Sequence, residues 1–158
     1  MRKSEGRLKF DFKTALSVER PEELAQPFKC ADFIVQEIDA TWLIEVTDVS
    51  RLDDKNAIAN LLGQWTSGYL LKDMLMKQYG THAYLAHIKE TPAPIVFFCV
   101  VIGLRPQADA AQRSRMRDEM KRITDKIGPS FHGTTNRPII KVESIESWNK
   151  AHPNVQIA

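Results

Sequence analysis

The chain has few cysteines and no long apolar segment, and both absences narrow the classes of protein to consider. Cys30 and Cys99 are the only cysteines among 158 residues, and neither lies in a CxxC pair or a zinc-type Cys/His cluster. We therefore expect free thiols in a reducing compartment. The longest apolar run, residues 95–104, is about half of the roughly 20 residues that a membrane span needs. No apolar stretch of signal-peptide length follows the basic N-terminus, so the sequence predicts a soluble, cytoplasmic protein with no membrane association.

A nearly balanced charge and the absence of glycine-rich loops and repeats exclude further classes of protein. The 22 Lys and Arg residues nearly balance the 20 Asp and Glu residues. Composition alone therefore does not indicate a nucleic-acid-binding protein, and any basic surface must arise from local clustering. Gly63 and Gly68 lie in a helical pattern and lack the strand–turn–helix context of a phosphate-binding loop. Because there is no internal repeat, low-complexity tract or linker, we expect a single domain over residues 1–158.

Hydrophobic periodicity predicts strands in the first third of the chain. Residues 7–20 alternate imperfectly, which fits one or two short strands, with a helix as the alternative for the second half. Residues 32–38 and 41–49 are rich in Ile, Val, Phe and Trp, and a tight turn at residues 39–40 joins them. This pattern indicates a β-hairpin.

A long helix is predicted after the hairpin. It begins at Asp53 or Asp54, either of which suits a helix N-cap, and continues to about Tyr79, where Gly80 would end it. The remaining predicted elements are a strand at 83–89, a central strand at 95–104, an amphipathic helix at 108–127 and a strand at 139–143. This order predicts an α/β fold in which a mixed central β-sheet is flanked by helices.

The segment TWLIEVTD, residues 41–48, places one carboxylate inside an apolar run. In an extended strand Glu45 and Thr47 project from one face, while the neighbouring apolar side chains project from the other. Asp32 opens the preceding strand, and hairpin pairing brings it toward Glu45. Two converging carboxylates can hold Mg²⁺, which prefers oxygen ligands and retains several waters. On spacing alone, solvated acids at the sheet edge remain the alternative.

Residues 29–48, KCADFIVQEIDATWLIEVTD, resemble the motif of the PD-(D/E)XK, or restriction-endonuclease-like, nuclease superfamily. In that motif an aspartate opens one strand and Glu-x-Lys lies in the next. The order of elements over roughly residues 8–145 is similar as well. The resemblance implies a restriction-endonuclease-like fold and a nuclease that uses Mg²⁺, with Mn²⁺ as a substitute. It also implies that Asp32 and Glu45 bind the metal together with the peptide carbonyl of Val46.

The sequence departs from this motif at Thr47, which stands where the superfamily has lysine. Threonine has neither the charge nor the reach to steady an attacking hydroxide or the scissile phosphate. Loss of a charge that acts in the transition state typically costs about 10²–10³-fold in rate. Some members of the superfamily carry a migrated lysine, which implies a replacement from the following helix by Lys72, with Lys55 as the alternative. Glu22 or Glu23 could supply an additional upstream acid, although no local pattern supports that match.

Two functions from different classes follow from these features. One is a weak Mg²⁺-dependent phosphodiesterase acting on nucleic acid, to which the Arg- and Lys-rich face of helix 108–127 would add sequence-independent affinity. The other is a catalytically inactive scaffold that binds a protein partner, for which Trp65 or Trp148 would serve if exposed. An ammonium beside Asp32 and Glu45 would favour the enzyme, whereas an apolar pocket beside a hydrophobic patch would favour the scaffold. The sequence leaves the oligomeric state open.

Overall fold

The structure is a computed structural model that describes residues 2–5, 8–21, 29–47, 63–64, 67–88, 95–102, 110–127 and 138–157. Its elements, in chain order, are β1 (Arg2–Glu5), β2 (Leu8–Phe12), β3 (Ser17–Glu19), β4 (Phe33–Gln36), β5 (Ala40–Thr47), α1 (Tyr69–His87), β6 (Ile95–Ile102), α2 (Ala110–Ile127), β7 (Ile139–Ser144), α3 (Ile145–Ala151) and β8 (Val155–Ile157). The strands form a five-stranded mixed sheet and a separate three-stranded sheet. The predicted α/β class, with a mixed sheet and helices, is confirmed.

The five-stranded sheet has the order β3-β4-β5-β6-β7. Strands β3, β4 and β5 are antiparallel neighbours, whereas β5, β6 and β7 are parallel. The predicted hairpin is confirmed: β4 and β5 pair with Phe33 opposite Ile44, and the Glu37 N–H donates to the Ala40 carbonyl across the turn at 2.8 Å. Strand β6 lies between two parallel neighbours, and its continuous apolar sequence is typical of a strand buried on both faces.

Helix α1 differs from the prediction at both ends. It begins at Tyr69, directly after Gly68, whose φ of 78° is left-handed, so the predicted helix is not continuous from residue 53 to residue 79. It continues through Gly80 to His87, so the expected strand at residues 83–89 is wrong over the described residues 83–87. Gly80 does not end the helix; it permits close packing, because a Cβ built there would lie 1.9 Å from the Lys29 carbonyl oxygen. The predicted N-terminal part of this helix, from residue 53 to residue 62, lies outside the described residues.

The two faces of the large sheet pack against different layers. One face meets α1 and α2 in a hydrophobic cluster that includes Leu43, Phe98, Met74 and Met120. Because α1 and α2 cover this face, any polar side chain that projects from it lies between the sheet and a helix. Among the described residues, no helix is both long enough and apolar enough to cross a membrane.

The second face packs against the three-stranded sheet and α3. This small sheet has the order β1-β2-β8, and of its strands only β2 falls within a segment for which the sequence predicted strands. Phe10 and Trp148 join Phe33 and Ile44 of the large sheet in a second hydrophobic cluster. Trp148 is fully buried, and its indole N–H donates to the Val155 carbonyl at 2.7 Å. It therefore offers no exposed surface to a partner.

Candidate active site

Asp32 directly precedes β4, and its carboxylate accepts a hydrogen bond from the backbone of β5. The antiparallel register pairs Phe33 with Ile44. Continuing that register by one residue places Asp32 opposite Glu45. Asp32 Oδ2 accepts a hydrogen bond from the Val46 N–H at 2.7 Å. Because the Asp32 side chain is buried, this bond holds its carboxylate at the end of the hairpin.

Glu45 projects from the helix-facing side of β5 and meets an ammonium group from α1. Lys77 Nζ lies 2.6 Å from Glu45 Oε1 and 3.9 Å from Asp32 Oδ1. The exposed fractions of the Asp32, Glu45 and Lys77 side chains are 5, 3 and 13 % respectively. The structure thus brings the two acids to the same ammonium. Since an isolated charge inside a protein costs several kcal/mol, the Lys77 ammonium offsets part of the cost of burying the two carboxylates.

The position of Lys77 follows from close contacts between α1 and the chain that leads into β4. Gly80 leaves room for the Lys29 carbonyl against the helix. One turn of the helix then bonds to the same segment: the Thr81 hydroxyl accepts from the Ala31 N–H at 2.8 Å and donates to the Lys77 carbonyl at 2.7 Å. Because both bonds involve backbone atoms, they fix the position of the helix turn that carries Lys77 relative to the segment before β4.

Lys77, rather than Lys72, supplies the ammonium beside Glu45, which corrects the sequence expectation. Lys72 is exposed, and the adjacent Asp73 pairs with Lys29. Five residues turn an α-helix by about 140° beyond a full turn, so side chains at 72 and 77 leave different sides of α1. Lys77 lies four residues before Thr81, which is buried in the structure, and residues three or four apart share a helix face. The burial of Thr81 depends on tertiary packing, so the sequence carries no local signal for Lys77.

Thr47 is the last residue of β5, where it pairs with Ile102 of β6 and is partly exposed. Strand alternation places it on the same face as Glu45, where the superfamily motif has its lysine. The ammonium therefore comes from the helix layer rather than from this strand position. Lys55, Glu22 and Glu23 lie outside the described residues.

Asp32 and Glu45 are oxygen donors of the kind that a hard divalent cation binds, and the Lys77 ammonium lies beside both of them. Among the described residues, two carboxylates and one ammonium give the site a net charge of about −1, and carboxylates are the ligands that Mg²⁺ prefers. The carbonyl of Val46 faces the same side as its N–H, toward Asp32, because both groups of a strand residue point to the same neighbour. Within the described part of the chain, no cluster of three or more His, Cys, Asp or Glu side chains could hold a metal.

The basic face of α2 is partly neutralised within the helix. Arg117 bonds to Asp118 at 2.8 and 2.9 Å, and Arg122 pairs with Glu119. Arg115 and Lys121 are exposed. The helix packs on the same face of the sheet as α1, so these cations belong to the layer that carries Lys77.

Neither cysteine is suited to nucleophilic chemistry. Cys30 and Cys99 are buried and lie outside any disulfide, which confirms the expectation of thiols. Burial raises the pKa of the Cys99 thiol far above its ordinary value, so the thiol stays protonated at neutral pH.

Comparisons of the chain with protein-family models, with curated proteins and with solved structures gave no significant match.

Proposed function

We propose that the protein is a metal-dependent phosphodiesterase acting on nucleic acid, with a divergent restriction-endonuclease-like active site formed by Asp32, Glu45 and Lys77. The observation that supports this proposal is the placement of one ammonium between two buried carboxylates at the end of the β4–β5 hairpin. The order of a hairpin, a helix, a parallel strand, a helix and a further parallel strand agrees with the resemblance noted in the sequence.

A purely structural role for these three charges is the less economical explanation. A buried ion pair is often no more stabilising than apolar side chains of the same size, and can be less so. Here the neighbouring positions of the same layer are apolar, and they include Leu43 and Val100. Three charged side chains within that layer are typical of a site retained for its chemistry rather than for stability.

The chain's own residues would have distinct tasks in such a reaction. A divalent cation bound by Asp32, Glu45 and the Val46 carbonyl would activate water and offset phosphate charge. The Val46 N–H keeps the Asp32 carboxylate oriented while the substrate binds. Lys77, the most exposed of the three charged side chains, would turn from Glu45 to donate to a phosphate oxygen as negative charge develops there. Lys77 thereby takes the task of the lysine that Thr47 replaces.

One observation favours the alternative of an inactive scaffold. Four exposed apolar side chains lie where strands of the large sheet begin or turn, at the end away from Asp32: Leu16, Ile38, Ile95 and Ile139. Exposed apolar side chains grouped in this way are typical of contact surfaces. Such a scaffold would bind a protein partner with that end of the sheet and would have no need of Lys77.

A nuclease assay on four proteins separates the two functions. The wild type, Lys77→Met, Thr47→Lys and the double variant are incubated with DNA or RNA, single- and double-stranded, in Mg²⁺ or Mn²⁺. We expect weak wild-type cleavage and a loss of about 10²-fold or more in Lys77→Met. The double variant should recover part of the loss, because a lysine at position 47 leaves the same strand face as Glu45.

Lys72→Met is the matched control, since it removes an exposed lysine from the same helix and should keep wild-type activity. Each protein is first shown to be folded by circular dichroism. If all four proteins are folded and inactive on every substrate, the enzymatic proposal fails and the scaffold replaces it.

A further inference from the structure

A pocket lies beside Trp42, on the sheet face opposite to Glu45. Alternation along β5 sends side chains at 42 and 45 to opposite faces. The cavity has a volume of about 160 Å³ and is lined by Glu37, Trp42, Trp148, Ala151, His152, Pro153, Asn154 and Val155. It is therefore separate from the carboxylate site and does not depend on the function proposed for that site.

Aromatic rings form the walls of this pocket and hold one another in place. Trp42 stacks on Phe97 with ring centroids 4.1 Å apart and planes 13° apart. Trp148 meets Trp42 edge-on at 6.0 Å, and the His152 ring lies 5.0 Å from Trp42 and 4.2 Å from Trp148. Rings held by such mutual contacts form a preorganised surface for a flat ligand.

Glu37 provides a hydrogen-bond acceptor of fixed orientation in the wall. Its Oε2 accepts from the Trp42 indole N–H at 3.0 Å, and its Oε1 accepts from the Thr14 hydroxyl at 2.5 Å. A carboxylate has about four acceptor sites, so these two bonds leave capacity for a ligand donor. The carboxylate is thus already oriented when a ligand arrives.

His152 and Lys141 determine the charge of the pocket. Burial and the Lys141 ammonium lower the pKa of His152, so the imidazole is neutral at pH 7. Lys141 Nζ lies 3.5 Å from His152 Nε2 and about 5 Å from the ring centres of Trp42 and Phe97. Glu143 Oε1 also lies 3.5 Å from His152 Nε2, so an ammonium and a carboxylate both border the imidazole.

The groups around the pocket select a neutral ligand. Lys141 already occupies the place of a cation beside the aromatic rings. The Glu37 carboxylate in the wall disfavours an anionic ligand.

We propose that this pocket binds one planar aromatic ring carrying an exocyclic amino group, the chemistry of an aminopyrimidine such as cytosine. An apolar cavity of about 150 Å³ holds one benzene molecule, so a volume of this size accepts a single ring. The ring packs against the Trp42 indole and the His152 imidazole, and the amino group donates to Glu37. The pocket is too small for the drug-sized ligands that fill cavities of about 300 Å³ or more.

Two matched pairs of ligands test this assignment. Cytosine is compared with uracil, in which a carbonyl replaces the amino group, and aniline with toluene, in which a methyl replaces it. The indole N–H signals of Trp42 and Trp148 are followed by ¹H–¹⁵N NMR and assigned with Trp→Phe variants. We expect cytosine and aniline to shift the Trp42 signal with a Kd on the order of 1 mM, a typical value for so few atoms. Uracil and toluene should bind about tenfold more weakly or worse, because the hydrogen bond to a charged acceptor is lost.

Three variants locate the binding. Ala151→Leu should fill part of the cavity and abolish the shifts, and Lys150→Leu, which places a leucine one residue earlier at a position that does not line the cavity, should leave them unchanged. Glu37→Gln should weaken cytosine and aniline about tenfold. Toluene binding as tightly as aniline would refute the amino-group assignment, and unchanged signals with all four ligands would refute the site.

Discussion

Substitution of Lys77 by methionine removes the ammonium that lies between Asp32 and Glu45, while the length of the side chain is nearly kept. Two buried carboxylates then face each other with no opposite charge from α1. Removal of one partner from a buried ion pair typically costs about 3–5 kcal/mol. Because 13 % of the Lys77 side chain is exposed, water can partly replace the ammonium, and we expect a loss of about 3 kcal/mol in the free energy of unfolding.

The same substitution should tighten cation binding. The net charge of the site changes from about −1 to about −2, and a divalent cation no longer competes with Lys77 for Glu45. We expect the Kd for Mn²⁺ to fall at least about tenfold, which corresponds to about 1.4 kcal/mol. This effect is opposite in sign to the effect on stability without metal, so the two measurements together identify the charge as the cause.

Urea unfolding at pH 7 and calorimetric titration with Mn²⁺ measure both effects. Lys72→Met is the control, and as an exposed substitution it should change stability by less than about 0.5 kcal/mol. Adding Glu45→Gln to Lys77→Met should recover about 1–3 kcal/mol of the lost stability, since neighbouring charges couple in a double-mutant cycle. A Lys77→Met protein as stable as the control, with unchanged Mn²⁺ affinity, would refute the reasoning.

Three further predictions concern other parts of the molecule. Gly80→Ala should cost about 1–3 kcal/mol in urea unfolding because the added Cβ clashes with the Lys29 carbonyl. Gly63→Ala is the control and should be neutral or stabilising, since an added Cβ there meets nothing within 4 Å. Equal stabilities of the two variants would contradict the packing role of Gly80. The pKa of His152 is lowered from its ordinary value of 6.5, so its contribution to the free energy of unfolding should be fully present above about pH 6.5 and fall as the pH drops below it. His152→Asn should flatten that decline in unfolding curves between about pH 7 and 5. An equally steep decline in the variant would count against this prediction. If α2 contacts nucleic acid, affinity should fall steeply with salt, and alanine at three α2 positions should flatten the slope, whereas no binding at about 50 mM salt would exclude the contact. These positions are Arg113, Arg117 and Lys121.

The β-hairpin and the apolar central strand could be predicted because their signals are local. β-Branched and aromatic residues on either side of a short turn specify β4 and β5, and the bounds of β5 and β6 fall within three residues of the predicted ones. The end of α1 could not be predicted in this way, since glycine is also the residue that usually follows a helix. The contact of Gly80 with the Lys29 carbonyl is visible only when both segments are in place.

In the candidate site, too, some features follow from the sequence and others depend on the tertiary structure. Alternation in an extended strand has a period of two, so the sequence alone determined that Glu45 and Thr47 share one face of β5. The strand register then brought Asp32 opposite Glu45, as hairpin pairing requires. The identity of the ammonium was decided by tertiary structure, because Lys77 lies 32 residues from Glu45 in the chain. Its reach depends on how α1 packs against the segment before β4, and no local pattern encodes that packing.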